Sequence, residues 1–391
     1  MRVQSLELQD YRNYHSLRFF PHPGLNIFVG PNAQGKSNLL EAVYVLATTK
    51  SPRARRDGEL IRFGAGITRI MAEVVRAASG DVTLEMALGA SGGVGGERKL
   101  VRVNHNKQPR VTDLIGNLNA VLFSSVDLDI VRKEPEDRRR FLNYEIAQVS
   151  PRYVLALGAY RRALEQRNRL LKDMRYGSYT SAETLDAWTD QLVEHGAVLI
   201  ERRKMYLDKL ATHAAEVHRK LSGERETLVV EYQPAVPVQA ESLAAKEIAD
   251  DFTAELKRLR RDEIQRGTTL SGPQRDEVLF RVGADAASAV DVQRYGSQGQ
   301  QRTVALSLRL AERNLIEEMV GEPPVVLLDD VLSDLDETRR AQIFALALSG
   351  GQTFLTTTDL TAIPPESIAE AAVWKIENGT VQQRGSEAAG T

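Results

Sequence analysis

Apolar and polar positions near the N-terminus alternate with a period of two, which is typical of half-buried β-strands. This pattern predicts strands at residues 3–9 and 17–20, connected through the polar residues 11–14. A continuous apolar run at residues 25–29 predicts a third, more deeply buried strand. Apolar residues then recur with helical spacing from residue 39 to residue 46. We therefore expect a strand, a short glycine-containing loop and a helix in direct succession.

Three further alternating segments lie at residues 68–76, 82–88 and 98–104, and glycine-containing turns separate them. Such segments predict antiparallel strands. Together they predict a β-rich lobe, which is an unusual insertion for a plain α/β enzyme.

The pattern changes between residues 151 and 266, where glycine is rare and apolar residues recur every three or four positions. This spacing predicts long amphipathic helices, interrupted by a strand-like piece at residues 228–237. We interpret the region as a helical arm inserted into an α/β domain. The predicted parts are therefore an N-terminal domain part at 1–150, the arm at 151–266 and a C-terminal domain part at 267–391.

The loop after the third predicted strand has the spacing G-x-x-x-x-G-K-S, which begins at Gly30 and ends at Ser37. A polyphosphate must approach backbone N–H groups closely in such a loop, and the N-terminus of the following helix favours an anion. We expect Lys36 to contact the β- and γ-phosphates of a nucleotide and Ser37 to bind Mg²⁺. The predicted nucleotide-binding residues here are Gly30, Pro31, Asn32, Ala33, Gln34, Gly35, Lys36, Ser37 and Asn38.

The polar turn Tyr11-Arg12-Asn13-Tyr14 allows two interpretations. A ring or the guanidinium group could lie against the nucleotide. Alternatively, the turn could be an exposed polar corner, and the spacing favours neither.

Four apolar residues at positions 325–328 are followed by Asp329 and Asp330. This pattern predicts a buried parallel strand that ends in two carboxylates. We expect Asp329 to bind Mg²⁺ through water and Asp330 to orient the attacking water. The predicted catalytic residues are Lys36, Asp329 and Asp330, and the predicted metal-binding residues are Ser37 and Asp329.

A further helix is expected to begin within residues 295–302 and to run to about residue 319. Glycine and serine at its start predict a second anion site, because a helix N-terminus offers free N–H groups. The nucleotide contacts predicted there are Ser297, Gly299 and Gln300.

The composition limits the possible partners and compartments. A formal net charge of -2 means that any nucleic-acid binding must come from a local basic patch. The absence of cysteine excludes disulfides and thiol chemistry, and the six histidines show no paired metal-ligand spacing. No apolar run reaches the length of a membrane span and no signal-peptide pattern is present, so we expect a cytoplasmic protein.

Two groups of basic residues are candidate DNA contacts. One is the turn with Arg53, Arg55 and Arg56, and the other is spread over the arm, where acidic residues also occur. The arm charges therefore indicate either a DNA-binding surface or a solvated helix face. The arm residues are Arg161, Arg162, Arg167, Arg169, Arg175, Arg202, Arg203, Lys204, Lys257, Arg258, Arg260 and Arg261.

These motifs together resemble the ABC-type ATPases that include the structural-maintenance-of-chromosomes (SMC) proteins and Rad50. Within that superfamily the chain resembles the RecF family of bacterial recombination mediators over nearly its whole length. The resemblance is carried by residues 51–64 (SPRARRDGELIRFG), 121–143 and 269–276 (TLSGPQRD). It implies an α/β fold, an ABC-type (SMC/Rad50-like) ATPase head with an antiparallel β lobe and an inserted helical arm.

The resemblance also implies that Ser297 and Gly299 complete the nucleotide site of a second subunit, so that ATP holds a homodimer together. Residues 333–336 resemble the loop that contacts the partner subunit in that superfamily. The implied activity is weak, DNA-stimulated ATP hydrolysis with Mg²⁺. The implied ligand is double-stranded or gapped DNA with its single-strand junctions, and the implied partners are RecR and RecO, which assist the loading of RecA in repair and replication restart.

The chain departs from its superfamily in three places. Thr356, Thr357, Thr358 and Asp359 stand where transport ATPases have a switch histidine. No glutamine loop is evident, and only Ser124, Ser125 and Asp127 lie near its place. Asp330 replaces the glutamate that many relatives have as the catalytic base.

Three alternative functions remain open from the sequence. One is a transport ATPase subunit, and another is an SMC-like or Rad50-like clamp with negligible turnover. The third is a metal-dependent nuclease with an ATPase head, for which Asp262 with Glu263 or Asp276 with Glu277 could supply ligands.

Overall fold

The computed structural model describes residues 1–77, 80–89, 98–124, 127–177, 182–238, 244–332, 337–347 and 349–384. Residues 333–336, expected to contact a partner subunit, and Ser125 lie outside this set. The chain divides into two compact units. The head unit comprises residues 1–127 and 309–391, and the arm unit comprises residues 128–308.

In chain order, the strands are β1 (Arg2–Tyr11), β2 (Tyr14–Phe19), β3 (Leu25–Val29), β4 (Ile67–Val75), β5 (Val82–Gly89), β6 (Arg98–Val103), β7 (Asn106–Lys107), β8 (Ala120–Phe123), β9 (Thr227–Gln233), β10 (Glu277–Gly283), β11 (Val290–Asp291), β12 (Val325–Asp329), β13 (Thr353–Thr357), β14 (Ala372–Glu377) and β15 (Thr380–Gln383). The helices are α1 (Lys36–Thr48), α2 (Leu128–Arg132), α3 (Pro135–Val149), α4 (Pro151–Arg175), α5 (Ala182–Leu221), α6 (Ala245–Arg266), α7 (Val292–Tyr295), α8 (Gln298–Val320), α9 (Glu337–Ala347) and α10 (Pro365–Ala369). Short 3-10 helices lie at Asp57–Leu60, Val111–Leu114 and Pro273–Arg275.

The head unit contains an antiparallel sheet with the strand order β2-β1-β4-β5-β6-β7. Alternate residues of β4 are buried, as the period-two pattern requires for a sheet with one face on the core. The predicted β lobe is therefore confirmed. The first two strands of the chain also belong to this sheet, since β1 pairs with both β2 and β4.

A second sheet of the head unit has the order β15-β14-β3-β13-β12-β8. Its pairings are parallel except for the edge strand β15. The strand before the phosphate loop, β3, and the acidic strand, β12, both pair with β13. Because the carboxyl ends of parallel strands meet at one edge of a sheet, this topology brings the two predicted motifs to the same edge.

Helix α1 positions the phosphate loop rigidly, because it is buried on nearly all sides. Its apolar residues, from Leu39 to Ala47, join one core with side chains of β1, β4 and β5 from the lobe and of β3, β8 and β12 from the parallel sheet. A helix that is apolar all round belongs in such an interior position. The loop at its N-terminus is thus anchored by the core of the head unit.

The arm unit is largely helical, with α4 of 25 residues and α5 of 40 residues. Helix α5 approaches α6 closely at Gly196, where an added Cβ would lie 2.7 Å from Phe252. A small antiparallel sheet, β11-β10-β9, completes the unit and includes the predicted strand-like piece. Among the described residues, no helix has both the length and the apolar character needed to cross a membrane.

Candidate nucleotide-binding site

The phosphate loop between β3 and α1 has an unusual backbone, with Ala33 at φ 64° and Gly35 at φ 110°. An added Cβ at Gly30 would lie 2.4 Å from the carbonyl oxygen of Ile376. One at Gly35 would lie 2.6 Å from Asn13 Nδ2. Gly30 is therefore required by its packing against the backbone of Ile376, and Gly35 by its left-handed backbone conformation.

The ammonium group of Lys36 lies within this loop. Its Nζ donates to the carbonyl oxygens of Gly30 at 2.6 Å and Pro31 at 2.8 Å. Burial lowers the pKa of Lys36, and the nearby charges of Asp330 and Asp329 oppose that shift. The cation therefore lies in the loop, near the charges of the acidic strand.

The turn at residues 11–14 packs against the phosphate loop. Asn13 Nδ2 donates to the Gln34 carbonyl oxygen at 2.9 Å, and the Tyr14 hydroxyl donates to the Gly35 carbonyl oxygen at 2.9 Å. Asn38 Nδ2 in turn donates to Asn13 Oδ1 at 2.8 Å. Tyr11 and Tyr14 are fully buried, whereas Arg12 is partly buried and Asn13 is exposed, so the interpretation as an exposed polar corner is wrong for the two tyrosines. The turn fixes the loop from the side of the β lobe.

Glu41, one helical turn after Ser37, is a buried carboxylate that the sequence analysis missed. Arg12 binds both of its oxygens, with Nε–Oε2 at 2.9 Å and Nη2–Oε1 at 2.8 Å. Arg53 Nη2 lies 3.1 Å from Oε2, and the Ser51 hydroxyl donates to Oε1 at 2.5 Å. Burial raises the pKa of Glu41, but these hydrogen bonds and charges outweigh burial and hold the pKa below its ordinary value. A glutamate within an otherwise apolar helix was the signal available in the sequence.

The acidic strand ends in the predicted place, and Thr356 of β13 fixes both of its carboxylate residues. The Thr356 hydroxyl donates to Asp329 Oδ1 at 3.0 Å and accepts from the Asp330 N–H at 2.9 Å. Asp330 has a left-handed backbone at φ 53°, which is uncommon for a non-glycine residue. Thr356 is the first residue of the segment that replaces a switch histidine, and the sequence did not reveal its role.

Ser37 and Asp329, the two predicted metal-binding residues, line one small cavity of about 30 Å³. Glu41, Arg53 and Ser124 are also among its lining residues. Mg²⁺ in nucleotide sites takes one or two protein oxygens, and phosphates and water supply the rest. A hydroxyl and a carboxylate on one cavity fit that donor set. Within the described part of the chain, no group of three or more His, Cys, Asp or Glu side chains is arranged to hold a metal.

The serine and glycine at the start of α8 belong to the arm unit. Ser297 and Gln300 form a reciprocal cap, in which the Ser297 N–H donates to Gln300 Oε1 at 2.9 Å and the Gln300 N–H donates to Ser297 Oγ at 3.2 Å. Gln300 Nε2 also donates to Glu226 Oε1 at 2.8 Å. Gln300 is thus occupied in holding the helix start, whereas Ser297 and Gly299 are exposed.

Asp127, near the place of the missing glutamine loop, has a structural partner. Its Oδ1 accepts from Arg309 Nε at 2.9 Å and Nη2 at 2.8 Å, and both residues are buried. Its Oδ2 accepts from the Ser124 N–H at 2.6 Å. Asp127 therefore fixes the segment after β8.

Several charged residues of the arm unit are used in buried ion pairs. Arg167 Nη2 lies 2.7 Å from Glu263 Oε2, and Arg203 Nη1 lies 2.7 Å from Asp276 Oδ2. Arg167 and Arg203 are therefore not part of a DNA-binding surface, which corrects their place among the arm candidates. Glu263 and Asp276 are the acidic partners of these pairs, which argues against them as nuclease metal ligands. Glu277 is likewise paired with Arg138 at 2.8 Å.

The basic turn after α1 is divided between two environments. Arg53 is bound to Glu41 and donates to Asn38 Oδ1 at 3.0 Å. Arg55 and Arg56 are exposed. Arg53 is exposed as well but is tied to α1 by these contacts, so Arg55 and Arg56 are the stronger candidates for a basic surface.

Comparison with known proteins agrees with these features. The RecF/RecN/SMC N-terminal domain matches residues 2–363. The "DNA replication and repair protein RecF" of Oceanobacillus iheyensis is 39% identical over 381 residues, covering 97% of this chain and 100% of that protein. The protein of the same name from Bacillus subtilis is 40% identical with the same coverage.

Solved structures give the same result. The recombination mediator protein RecF in an ATP complex has a TM-score of 0.87 and 29% identity, covering 98% of this chain and 97% of that chain. An SMC head domain from Pyrococcus furiosus, 14% identical with a TM-score of 0.54, covers 98% of this chain and 95% of its own and shares the fold alone. The predicted ABC-type head with its β lobe and helical insertion is therefore confirmed. On the family match and the near-complete coverage of its relatives, the chain belongs to the RecF family.

Proposed function

We propose that this chain is an ATP-dependent DNA-binding protein of recombinational repair and replication restart, with weak, DNA-stimulated ATPase activity. The observation that carries the proposal is the cavity shared by Ser37 and Asp329, at the edge of the parallel sheet where the phosphate loop and the acidic strand meet. Solved structures of relatives described as RecF-ATP and RecF-ATPrS support the choice of ligand.

The head unit supplies the proposed chemistry of one nucleotide site. Lys36 binds the terminal phosphates, while Ser37 and Asp329 would hold Mg²⁺. When bound, Mg²⁺ neutralises phosphate charge and orients the phosphates for in-line attack. Asp330 orients the attacking water, and Thr356 keeps both carboxylate residues in place through its two hydrogen bonds.

The arm unit contributes the proposed switch. Ser297 and Gly299 are exposed at the N-terminus of a helix of 23 residues, where N–H groups favour an anion. We infer that they bind the γ-phosphate held by a second copy of the chain, so that ATP stabilises a homodimer around DNA. Hydrolysis removes the shared phosphate and shifts the population back to separate subunits.

Family membership supports the partners in this proposal. A RecF relative of known structure is described as a recombination mediator in the RecFOR pathway. We therefore propose RecR and RecO as partners and the loading of RecA at gapped DNA and single-strand junctions as the outcome. A cytoplasmic location is proposed on the same grounds.

The experiment combines a gel shift on gapped duplex DNA, size-exclusion chromatography and an ATPase assay, each with and without ATP. We expect an ATP-dependent dimer, ATP-dependent DNA binding and slow hydrolysis. Lys36→Ala is expected to abolish all three, and Ser297→Arg to retain ATP binding but lose the dimer and the DNA complex together. Wild-type DNA affinity in monomeric Ser297→Arg would refute the clamp, DNA cleavage would favour a nuclease, and DNA binding without turnover would favour a structural clamp.

A further inference from the structure

The hydroxyl group of Ser124 is buried and makes no hydrogen bond within the described part of the chain. The backbone of Ser124 is fixed, since its N–H donates to Asp127 Oδ2 at 2.6 Å and its carbonyl oxygen accepts from the Asp127 N–H at 3.0 Å. Buried polar groups normally have a partner, and one that lacks it calls for a water, an ion or a functional role.

The register of the parallel sheet places Ser124 beside the acidic strand. Strands β8 and β12 are parallel neighbours, with Phe123 opposite Leu328. The next residues are Ser124, which follows β8, and Asp329, which is the last residue of β12, so both lie at the carboxyl edge of the sheet. Both line the cavity of about 30 Å³ that Ser37 also lines. A cavity needs only about 10–15 Å³ of such space to hold a water, so this one has room for a water molecule.

We propose that Ser124 is a further positioning residue of the metal site, in which its Oγ accepts a hydrogen bond from a water of the Mg²⁺ coordination shell. This inference rests on the proposed nucleotide site with Ser37 and Asp329. A serine hydroxyl has two acceptor lone pairs, and Mg²⁺ keeps several waters when it binds through one or two protein groups. Ser124, whose backbone is held by Asp127, then orients the water and through it the ion.

The proposed role separates Ser124 from a serine that is needed for folding. Removal of a hydroxyl that has no partner leaves no buried group unsatisfied, so Ser124→Ala is expected to fold normally. Loss of a group that orients a metal's ligands typically weakens metal binding about 10- to 100-fold. A selective loss of Mg²⁺ affinity is thus the signature of the proposed role.

The test measures the binding of a fluorescent ATP analogue during a Mg²⁺ titration and repeats the measurement in EDTA. We expect Ser124→Ala to raise the Mg²⁺ concentration at half-maximal binding about tenfold and to leave the affinity in EDTA unchanged. Ser124→Thr retains a hydroxyl and is expected to keep the wild-type midpoint. The matched control is Ser5→Ala, which removes another buried serine hydroxyl, bound to Glu73 at 2.9 Å in the β lobe.

A second readout uses Mn²⁺ in place of Mg²⁺, with bound and free ion quantified by electron paramagnetic resonance in the presence of the ATP analogue. We expect Ser124→Ala to bind Mn²⁺ more weakly than the wild type. If the alanine variant misfolds, Ser124→Cys replaces it and is expected to show the same loss, because sulfur is a weak hydrogen-bond acceptor. A wild-type midpoint in these variants, or an equal loss of affinity in EDTA, would overturn the proposal for Ser124. If the affinity of the wild type for the nucleotide does not depend on Mg²⁺, the proposed metal site itself is overturned.

Discussion

Two buried carboxylates, Glu41 in the head unit and Asp276 in the arm unit, are both bound by arginine, yet their surroundings differ. The partners of Glu41 reach solvent, with the Arg12 and Arg53 side chains 21% and 34% exposed. The partner of Asp276, Arg203, is only 3% exposed. One cluster is therefore open on its arginine side, and the other is closed.

The difference follows from what each cluster joins. Glu41 connects α1 to the turn at residues 11–14 and to the basic turn, beside the candidate nucleotide site. Asp276 and Arg203 join α5 to the segment before β10, and Tyr153, Tyr232 and the Ala235 N–H complete their hydrogen bonds. An open cluster at a ligand site allows rearrangement, whereas a closed cluster fixes one packing of the arm. The variants below test that distinction.

The largest expected effect is on the closed cluster. Arg203→Met leaves Asp276 as a buried charge without its cation, so we expect a loss of about 3–5 kcal/mol in the free energy of unfolding of the arm unit. The two tryptophans allow each unit to be followed, because Trp188 lies in the arm and Trp374 in the head. Urea unfolding monitored by Trp188 fluorescence in a Trp374→Phe background measures the loss.

The matched control is Arg260→Ala in the same background. Arg260 pairs with Asp186 on the surface of the same unit, and exposed pairs contribute less than about 1 kcal/mol. Equal destabilisation by the two variants would contradict the view that closure of the cluster matters.

The open cluster is expected to tolerate the corresponding change better. Arg12→Met removes two hydrogen bonds from Glu41, but Arg53, Ser51 and the Tyr11 hydroxyl remain as its partners. We expect a loss of about 1–3 kcal/mol in the stability of the head unit, together with weaker ATP binding. Trp374 fluorescence in a Trp188→Phe background measures stability, and nucleotide titration measures binding. A loss as large as that of Arg203→Met would remove the contrast between the clusters.

The sequence revealed the features that depend on residues close together in the chain. The strands, the long helices and the phosphate loop were predictable, because each depends on periodicity or on a spacing within a few residues. Ser37 and Asp329 were each assigned a role at Mg²⁺ from a local motif, the phosphate-loop spacing and the apolar run that ends in two carboxylates. Their shared cavity agrees with that expectation.

Other site residues could not be found in this way, because their partners are distant in the chain. Thr356 reaches Asp329 only through the pairing of β13 with β12. Arg12 and Glu41 are in contact because the β lobe packs on α1, and no local sequence pattern predicts that packing. Arg167 and Arg203 resemble the other basic residues of the arm in sequence, and only packing distinguishes these buried cations from exposed ones.

A smaller effect is expected on DNA binding. Arg53, Arg55 and Arg56 are all exposed, but Arg53 is paired with Glu41. Each phosphate contact contributes about 0.9 to the slope of log affinity against log salt, so the double substitution of Arg55 and Arg56 by Ala should reduce that slope by about 1.8. Arg53→Ala should leave the slope unchanged but alter ATP binding. Fluorescence anisotropy with gapped DNA at several salt concentrations distinguishes the double variant from Arg53→Ala. A reduced slope in Arg53→Ala would contradict the view that Arg53 serves Glu41 rather than DNA.

The smallest expected effect is the acid sensitivity of the open cluster. The pKa of Glu41 in the folded state lies below its ordinary value of 4.5, so the unfolded state binds more protons as the pH falls. The stabilisation by Glu41 is therefore complete above pH 4.5 and is lost as the pH falls through the lowered pKa. Glu41→Gln cannot titrate, and it should be less stable than the wild type at neutral pH and show a flatter decline of head-unit stability in acid. Urea unfolding followed by Trp374 fluorescence between pH 7 and pH 3 measures this decline, and Glu370→Gln, at an exposed glutamate of the head unit, is the control. An unchanged acid decline in Glu41→Gln would mean that Arg12 and Arg53 do not hold this carboxylate in its charged form.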